Sequence, residues 1–331
     1  MRVFLAGATG VIGRRLLPLL VANGHHVIAM TRSPQKAAEI RAFGAEPAIV
    51  DALDRDAVIR AVTRACPEAV VHQVTALSGM KSLRRFDAAF AATNRLRTKG
   101  TDHLLEGALA AGARRFIAQS FTNWPNMREG GAVKIESDPL DPAPPRAQRR
   151  SLDAIEHLER VVSQTPQIVG LALRYGNFYG PGTGFAPDGA LVQAVRRRQF
   201  PIVGGGAGMW SFIHVHDAAQ ATLLALTRGA SGVYNITDDE PAAVADWLPE
   251  LAQIVGAKPP VKVPAWLGWM LVGGAGLSMM TEARGSANGL AKRVFGWSLR
   301  YPTWRTGFRR ELAGSPAPRR HWFQPVRVLS R

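Results

Sequence analysis

The chain has 331 residues, of which 47% are hydrophobic and 20% charged, and its formal net charge is +16. These values are typical of a globular protein with one large domain or two modest ones. The single cysteine, Cys66, excludes an intrachain disulfide and a zinc site built from cysteines, and it favours a cytoplasmic location. The basic charge alone indicates an anionic partner or a coding bias towards arginine. Because no motif stacks on bases or enters a groove, we expect no nucleic-acid partner.

The first half of the chain alternates between short apolar runs and helical patterns. The apolar runs predict strands at Val3–Ala6, Val27–Met30, Ala48–Val50, Ala69–Val74, Arg115–Gln119 and Ile168–Leu173. The helical patterns lie at Val11–Ala22, Asp54–Ala65, Phe86–Ala111 and Leu152–Val162. This alternation predicts an α/β fold, a Rossmann-type doubly wound parallel sheet that helices cover on both faces.

The second half is less regular and predicts a smaller substrate-side part. One more strand is predicted at Val233–Ile236, and we expect it to return to the sheet. The predicted division is a dinucleotide-binding domain over residues 1–174, a substrate-side domain over 175–318 and a basic tail over 319–331. The uncharged run at 264–281 contains four glycines and has marginal length for a membrane span. We therefore predict a buried or pocket-lining segment there, and no membrane span.

A glycine-rich loop, GATGVIG at residues 7–13, directly follows the first predicted strand and begins the first helix. Gly7 permits a sharp turn, Gly10 permits close approach of the backbone to a pyrophosphate, and Gly13 permits tight packing of helix on sheet. The helix N-terminus then directs its positive end at the phosphates. The predicted residues of this site are Gly7, Thr9, Gly10, Val11, Ile12 and Gly13.

The end of the second strand indicates which dinucleotide binds. An acid there would bind the ribose hydroxyls of NAD, whereas this chain has Arg32, with Lys36 shortly after it. A guanidinium suits a 2′-phosphate, and Arg14 is expected to add to the same charge. We therefore favour NADP(H), with NAD(H) as the alternative. Asp51 and Ala52, after the third strand, are predicted to lie beside the adenine.

Further segments carry a family resemblance. They are GATGVIG at 7–13, Asn94 within AATNRLRTKGTDHLLEGALAAGARRFI, Ser120 after a strand, LRYGNFYGPG at 173–182 and FIHVHDAAQATLLAL at 212–226. In this order they resemble an extended short-chain dehydrogenase/reductase of the NAD-dependent epimerase/dehydratase family. The resemblance implies a Rossmann domain with a small C-terminal substrate domain, a nicotinamide cofactor and a small-molecule substrate.

The catalytic pattern of that family is incomplete in this chain. Its members usually combine a serine with Tyr-x-x-x-Lys, in which the tyrosine exchanges a proton with the substrate oxygen. No tyrosine of this chain is followed four residues later by a lysine. Ser151 and Glu156 keep the family's spacing, which aligns Gln148 with the tyrosine and Leu152 with the lysine. The chain therefore resembles atypical members that lack this proton relay.

Other residues supply the remaining predicted site. Ser120 and Thr122, at the carboxyl end of a strand, are predicted to be catalytic by hydrogen-bonding a substrate carbonyl. The alternative, that Ser120 only caps the strand end, stays open. Trp210 precedes the segment at 212–226 where nucleotide-sugar enzymes of the family carry an arginine, so we expect an apolar or aromatic substrate. The predicted substrate-binding residues are Asn123, Tyr175, Asn177, Tyr179 and Trp210.

Three functions remain open at this point. The first is an NAD(P)-dependent oxidoreductase that acts on a carbonyl or alcohol of a small, rather apolar metabolite. The second is a redox-silent NADP(H)-binding sensor or scaffold, and the third is epimerase- or dehydratase-like chemistry with a recycled cofactor. The spacing of His214 and His216 is too weak to predict a metal, so we expect none. A homodimer is left open.

Overall fold

The computed structural model describes residues 1–77 and 84–313, so the predicted basic tail at 319–331 lies outside the described residues. The strands, numbered in chain order, are β1 (Arg2–Ala6), β2 (His26–Thr31), β3 (Glu46–Ile49), β4 (Ala69–His72), β5 (Arg115–Phe121), β6 (Val133–Lys134), β7 (Val169–Tyr175), β8 (Asn177–Tyr179), β9 (Ile202–Val203), β10 (Met209–Trp210), β11 (Phe212–His214), β12 (Gly232–Ile236), β13 (Ala242–Ala243), β14 (Lys262–Val263) and β15 (Gly285–Ser286).

The helices are α1 (Gly13–Ala22), α2 (Ala37–Ala42), α3 (Arg55–Ala65), α4 (Phe86–Arg95), α5 (Thr101–Ala110), α6 (Arg149–Gln164), α7 (Ala190–Arg196), α8 (Val215–Leu224), α9 (Val244–Ile254), α10 (Ala265–Thr281), α11 (Gly289–Phe295) and α12 (Trp304–Leu312). Short 3₁₀ turns lie at Pro34–Lys36 and Arg146–Gln148, and a π-helical turn lies at Leu96–Gly100.

Among the described residues, seven strands form one sheet in the order β12-β7-β5-β4-β1-β2-β3. Every neighbouring pair in this sheet is parallel. All four residues of β4 are buried, as expected for an apolar strand that is covered on both faces. The predicted α/β fold with a Rossmann-type parallel sheet is confirmed.

Alternate residues of β1 supply the two cores on either side of the sheet. Val3 and Leu5 belong to the core that α1, α8 and α11 cover, and Phe4 and Ala6 belong to the core that α3, α5 and α6 cover. This follows from the two-residue repeat of a strand, which sends successive side chains to opposite faces. Both helix layers therefore fix the carboxyl ends of the strands, where the site is predicted.

A third core, rich in aromatic side chains, lies in the later part of the chain. Trp247 and Trp304 have no exposed surface there and pack against Phe212, Phe185 and Phe308. β12 nevertheless pairs with β7 at the edge of the main sheet, so the later half also completes the first core. The division of the chain near residue 174 stays a prediction.

The stretch Phe86–Ala111 that the sequence predicts to be helical is helical in the structure, with a π-helical turn inside it. α4 ends at Arg95, the π-helical turn follows, and α5 begins at Thr101. A π-helical turn inserts an extra residue and changes the direction in which side chains project. Arg97, within this turn, is only 4% exposed.

The apolar run at 264–281 also differs from its prediction. It forms α10, which is interrupted at Gly273, whose φ of 74° and ψ of 176° are not helical. The second half is packed as predicted, but in the first half Trp266 is 67% and Trp269 60% exposed. The expectation of a buried segment is therefore wrong for that half. No helix in the described part of the chain has the length and hydropathy that crossing a membrane requires.

Candidate active site

The glycine loop has the shape that a pyrophosphate site requires. Gly7 has a φ of 89°, and a Cβ on it would lie 2.7 Å from the backbone of Gln73. A Cβ on Gly13 would lie 2.2 Å from the carbonyl oxygen of Gly7, so neither position tolerates a side chain. The N–H of Gly10 donates to that same oxygen at 3.0 Å and closes the turn. Gly10 and Val11 remain exposed at the N-terminus of α1, so the loop can receive a dinucleotide phosphate.

The residues predicted to bind a 2′-phosphate follow β2. Arg32 is exposed and Lys36 half-buried, and the part of the chain that the structure describes gives neither an ion-pair partner. Arg14, in contrast, pairs with Glu39 at 3.0 Å. This ion pair competes with a phosphate for Arg14 and does not favour the expectation that Arg14 adds to the phosphate site, which stays a prediction.

Asp51 and Ala52 follow β3 at the same edge of the sheet, because all these strands are parallel. The carboxylate of Asp51 accepts the N–H of Leu53 at 2.9 Å, and Ala52 is buried with its carbonyl oxygen 3.0 Å from Nδ1 of His103. This arrangement fixes the loop after β3. The contact of these two residues with adenine stays a prediction.

Gln148 and Leu152, which the sequence aligns with the missing relay, flank the start of α6. Gln148 is 1% exposed, and its amide nitrogen has no partner among the described residues. Leu152 has no exposed surface. Between them, Ser151 donates its N–H and its hydroxyl to Asp87 at 2.9 and 2.6 Å, and Asn94 donates to the Ser151 hydroxyl at 3.0 Å. These bonds hold the start of α6 against α4.

Leu152 belongs to a small hydrophobic cluster, here called the apolar cluster. Its rings pack closely, with the centroids of Phe86 and Trp124 5.1 Å apart and those of Phe86 and Phe90 4.4 Å apart. Its members are all hydrophobic, and the carboxylate of Asp87 lies beside it, bonded to Ser151, the neighbour of Leu152. Such surroundings suit an aromatic or apolar group and disfavour a charged lysine. The buried members are Phe86, Trp124, Leu152, Ile155 and Ala275, and partly buried Phe90, Phe121, Leu140, Ala147 and Met279 pack on them.

The two predicted catalytic hydroxyls are both buried and hydrogen-bonded. Ser120 donates to Oε1 of Glu159 at 2.6 Å. The hydroxyl of Thr122 is bonded to that of Ser286, and Asn126 donates to it at 3.1 Å. Ser120 is 1% exposed and Thr122 fully buried, so in this structure neither presents its hydroxyl to a cleft. Their catalytic role stays a prediction, and these contacts do not favour it.

A buried charge network, which sequence reasoning missed, surrounds Glu159. Arg174 donates to both carboxylate oxygens of Glu159 at 2.7 and 2.6 Å. Burial lowers the pKa of Arg97 to about 10, although the charge of Glu159 opposes this. Burial likewise lowers the pKa of His72 to about 4, and the charge of Arg97 acts in the same direction. The signal available in the sequence was Arg174, a charged residue inside an otherwise apolar strand.

Asn123, Asn177 and Trp210 lie around the backbone of Ser211. Asn123 exchanges two hydrogen bonds with that backbone, at 3.1 and 2.8 Å. The N–H of Asn177 donates to the carbonyl oxygen of Ser211 at 2.8 Å, and Trp210 donates to the carbonyl oxygen of Met279 at 2.8 Å. The structure thus brings three predicted substrate-binding residues together, and Asn177 is the most accessible of them. Their contact with substrate stays a prediction.

The other two predicted substrate-binding residues, Tyr175 and Tyr179, have no exposed surface. The hydroxyl of Tyr175 lies 2.6 Å from that of Thr222 and accepts from Gln73 at 3.2 Å, and burial raises the pKa of Tyr175 to about 12. Tyr179 is packed so tightly that a Cβ on Gly307 would lie 2.2 Å from its hydroxyl oxygen. These core contacts do not favour a contact of either tyrosine with substrate, which stays a prediction.

In the described ranges, no group of three His, Cys, Asp or Glu side chains has the geometry that a metal ion requires, and His214 and His216 belong to none. Nδ1 of His214 accepts the N–H of His216 at 3.1 Å, and its ring stacks on Tyr301 with centroids 3.7 Å apart. Burial lowers the pKa of His214 to about 3. These contacts give His214 a structural role at the start of α8.

A glycine loop that joins the first strand of a parallel sheet to a helix is the arrangement of proteins that bind a dinucleotide. The family model described as "NAD dependent epimerase/dehydratase family" matches residues 3–237. The chain belongs to this family.

Curated relatives include reductases. A "3-diazoavenalumate denitrifying reductase" of Streptomyces sp. is 46% identical over 94% of this chain and 100% of its own length. A "4-hydroxy-2-methyl-3-oxo-4-farnesyl-3,4-dihydroquinoline-1-oxide ketoreductase" of Stigmatella aurantiaca is 31% identical over 78% of this chain and 74% of its own.

Solved structures show the same fold at low identity. A UDP-glucose 4-epimerase of Thermotoga maritima, solved with UDP-glucose, has a TM-score of 0.73 at 22% identity and covers 94% of this chain and 97% of its own. A human epimerase family protein solved with NADPH has a TM-score of 0.72 at 17% identity and covers 94% of this chain and 99% of its own. At these identities the likeness shows the fold alone.

Proposed function

We propose that this protein is an NADP(H)-dependent reductase that removes the diazo group of a small aromatic metabolite and replaces it with hydrogen. The observation that carries the proposal is the pair Gln148 and Leu152 at the positions of the missing relay. Neither side chain exchanges a proton near neutral pH, and Leu152 is fully buried in the apolar cluster. A reaction that needs no proton from the enzyme fits this site best.

Reductive loss of a diazo group is such a reaction. The nicotinamide, when bound, supplies a hydride, which is a hydrogen nucleus with two electrons. For an aromatic diazonium ion, the hydride forms the new C–H bond, the C–N bond breaks, and its electron pair leaves with neutral N₂. NADPH and the diazonium ion thus give NADP⁺, the arene and N₂, with no proton taken up or released.

Carbonyl reduction, which the sequence also favours, has a different requirement. Hydride addition to a carbonyl leaves an alkoxide that must gain a proton, usually from a positioned acid. Gln148 and Leu152 supply no acid at the positions of the relay, and Tyr175 and Tyr179 have no exposed surface. The name of the Streptomyces relative, which describes loss of nitrogen from a diazo compound, supports the diazo substrate, whereas that of the Stigmatella relative supports the ketone.

The chain's own residues have distinct roles in this proposal. The glycine loop binds the pyrophosphate, and Arg32 with Lys36 binds the 2′-phosphate of NADP(H). Phe86 and Trp124, both buried, keep the surroundings of Leu152 apolar and exclude water there. Ser120 positions the end of β5 through Glu159 and does not touch the substrate.

The test measures turnover by the purified protein with NADPH and an aromatic diazo carboxylate. We expect NADPH oxidation, disappearance of the diazo group and release of N₂ in equal amounts. With NADPH carrying deuterium at the transferred position, the deuterium should be found on the ring carbon that held nitrogen. An enzyme-free reaction is the control, because diazonium ions also accept hydride chemically.

Other results would overturn the proposal. Turnover of ketones but not of diazo compounds would establish carbonyl reduction. Tight NADPH binding without turnover of either class would favour the sensor or scaffold. Hydrogen from solvent instead of from the cofactor at the ring carbon would exclude direct hydride transfer.

A further inference from the structure

The first half of α10 carries an exposed apolar patch that the proposed reaction does not use. Trp266 and Trp269, at 67% and 60%, are more exposed than any other large apolar side chain of the described residues. Leu271 is 52% and Met270 47% exposed on the same half-helix. Several large apolar side chains that are exposed next to one another usually mark an interaction surface.

This half-helix is fixed to the rest of the protein by its small residues. A Cβ on Gly268 would lie 2.1 Å from Cγ1 of Val203, so the helix backbone is in close contact with β9. At the interruption, a Cβ on Gly273 would lie 3.2 Å from the backbone of Arg84. Because the glycine face packs inward, Trp266 and Trp269 lie on the outward face.

Four cations lie on two chain segments beside the patch. Lys258 and Lys262 are exposed just before α10, and Arg197 and Arg198 are exposed at the end of α7. These two groups are neighbours, since Arg198 donates from Nε to the carbonyl oxygen of Pro259 at 3.1 Å and β14 pairs with β9. Neither segment 190–203 nor segment 255–281 contains an aspartate or glutamate.

We propose that this surface docks on a membrane that contains anionic lipids. We call it the α10 surface, defined by Trp266, Trp269, Met270, Leu271, Lys258, Lys262, Arg197 and Arg198. Tryptophan prefers the boundary between headgroups and acyl chains, and a helix in that plane buries its apolar face without crossing the bilayer. Lysine and arginine at the rim are attracted to the negative surface of such a membrane.

The charge distribution favours a membrane over a second copy of the chain. In a two-fold symmetric dimer, the same patch lies on both sides of the interface, so the four cations would face an identical set. Like charges placed opposite each other oppose association. An anionic lipid surface satisfies the apolar and the cationic residues together. This inference does not depend on which substrate the enzyme reduces.

Vesicle sedimentation tests the proposal with the full-length protein. We expect it to sediment with vesicles containing phosphatidylglycerol but not with phosphatidylcholine alone. The variant Trp266→Ser/Trp269→Ser should lower the lipid–water partition coefficient at least about tenfold, since it removes the apolar contribution to interfacial binding. Lys258→Glu/Lys262→Glu should also weaken binding, and added salt should weaken that of the wild type.

Matched controls separate docking from misfolding. Phe43→Ser/Leu109→Ser removes two exposed apolar side chains elsewhere on the surface and should leave sedimentation unchanged. Every variant should bind NADPH like the wild type, which shows that the fold is retained. The proposal is overturned if the wild type binds no vesicles, or if the tryptophan variant binds them as well as the wild type does. If the wild type binds no vesicles but forms a dimer that the tryptophan variant converts to monomers, the patch serves self-association instead. If the wild type binds no vesicles and the tryptophan variant only raises KM, the patch serves substrate entry.

Discussion

The hydroxyl of Ser120 donates a 2.6 Å hydrogen bond to Oε1 of Glu159, and this carboxylate also holds Arg174 at 2.7 and 2.6 Å. All three side chains are buried. Hydrogen bonds to charged groups are stronger than neutral ones, and in a buried network the loss of one partner leaves the others poorly satisfied. Ser120 is therefore tied to the core that supports β5, β7 and α6.

Replacement of Ser120 by alanine tests this assignment. We expect Ser120→Ala to lower the free energy of unfolding by about 1.5–3 kcal/mol, the range for a hydrogen bond to a charged group. Loss of a donor that stabilises a reacting oxygen costs about 10²–10³ in kcat, so a positioning role predicts a much smaller change in kcat. Urea unfolding and steady-state kinetics measure the two effects. The opposite pattern, unchanged unfolding with a hundredfold lower kcat, would restore the catalytic role that the sequence favours.

Arg32 and Arg14 form a matched pair for testing cofactor preference. Of these two arginines, Arg32 has no ion-pair partner in the described structure whereas Arg14 pairs with Glu39, so the charge of Arg32 is the more available for a 2′-phosphate. Arg32→Ala should raise the Kd for NADPH about 10–100-fold, the equivalent of a charge-assisted hydrogen bond, and leave the Kd for NADH nearly unchanged. Arg14→Ala should change neither constant appreciably. Fluorescence titration gives all four values, and NADH binding more tightly than NADPH to the wild type would contradict the assignment.

The sequence predicts the sheet and the glycine loop because their signals are local. An apolar run bounded by turns predicts a buried strand. The loop requires glycine wherever a Cβ would collide with a neighbouring backbone, as at Gly13. The order of these elements along the chain then restricts the topology. No knowledge of distant contacts is needed for either.

The features that the sequence did not reveal depend on distant contacts. Tyr175 and Tyr179 occur in a segment that resembles a substrate-binding motif, yet packing against Thr222 and Gly307 seals them. The continuous pattern over Phe86–Ala111 gives no indication of the π-helical turn that buries Arg97. For α10, apolar composition predicts burial, but composition does not show whether a partner surface exists within the chain.

His72 should make the protein less stable in mild acid. Its folded pKa of about 4 lies below the unfolded value of 6.5, because burial disfavours the charged ring. Between these two values the unfolded chain binds a proton that the folded protein does not, so stability falls as the pH falls from about 6.5 towards 4. The slope reaches about 1.4 kcal/mol per pH unit for one histidine, and His214 adds to it in the same direction.

The variant His72→Asn isolates this contribution. It keeps a side-chain acceptor for the N–H of Val74, which now bonds to Nδ1 of His72 at 3.2 Å, but it does not titrate. The loss of unfolding free energy between pH 7 and pH 5, measured in urea, should be smaller by about 2 kcal/mol in the variant than in the wild type. Equal losses of unfolding free energy in both proteins would show that His72 takes up its proton in the folded protein at the same pH as in the unfolded chain.

Leu152 tests whether the relay position is as apolar as the structure shows. A lysine there would place an ammonium group among Phe86, Trp124 and Ile155, where no carboxylate belongs to the cluster. We expect Leu152→Lys to lower the free energy of unfolding by at least about 3 kcal/mol, since a buried charge lacks compensation. Leu152→Met, of similar volume, should cost less than about 1.5 kcal/mol. Equal stability of the two variants would indicate a wet site that accepts the family's lysine, and the proposed reaction would lose its main support.

The pH dependence of the chemical step distinguishes hydride transfer alone from hydride transfer coupled to a proton. Gln148 and Leu152, at the positions of the relay, do not titrate. With a diazo substrate that does not itself titrate in this range, the single-turnover rate should change by less than about twofold from pH 6 to pH 8, since no general acid takes part. The rate should also be nearly equal in H₂O and D₂O. A rate that falls about tenfold per pH unit, together with a slower reaction in D₂O, would reveal a proton donor and refute a reaction without a relay.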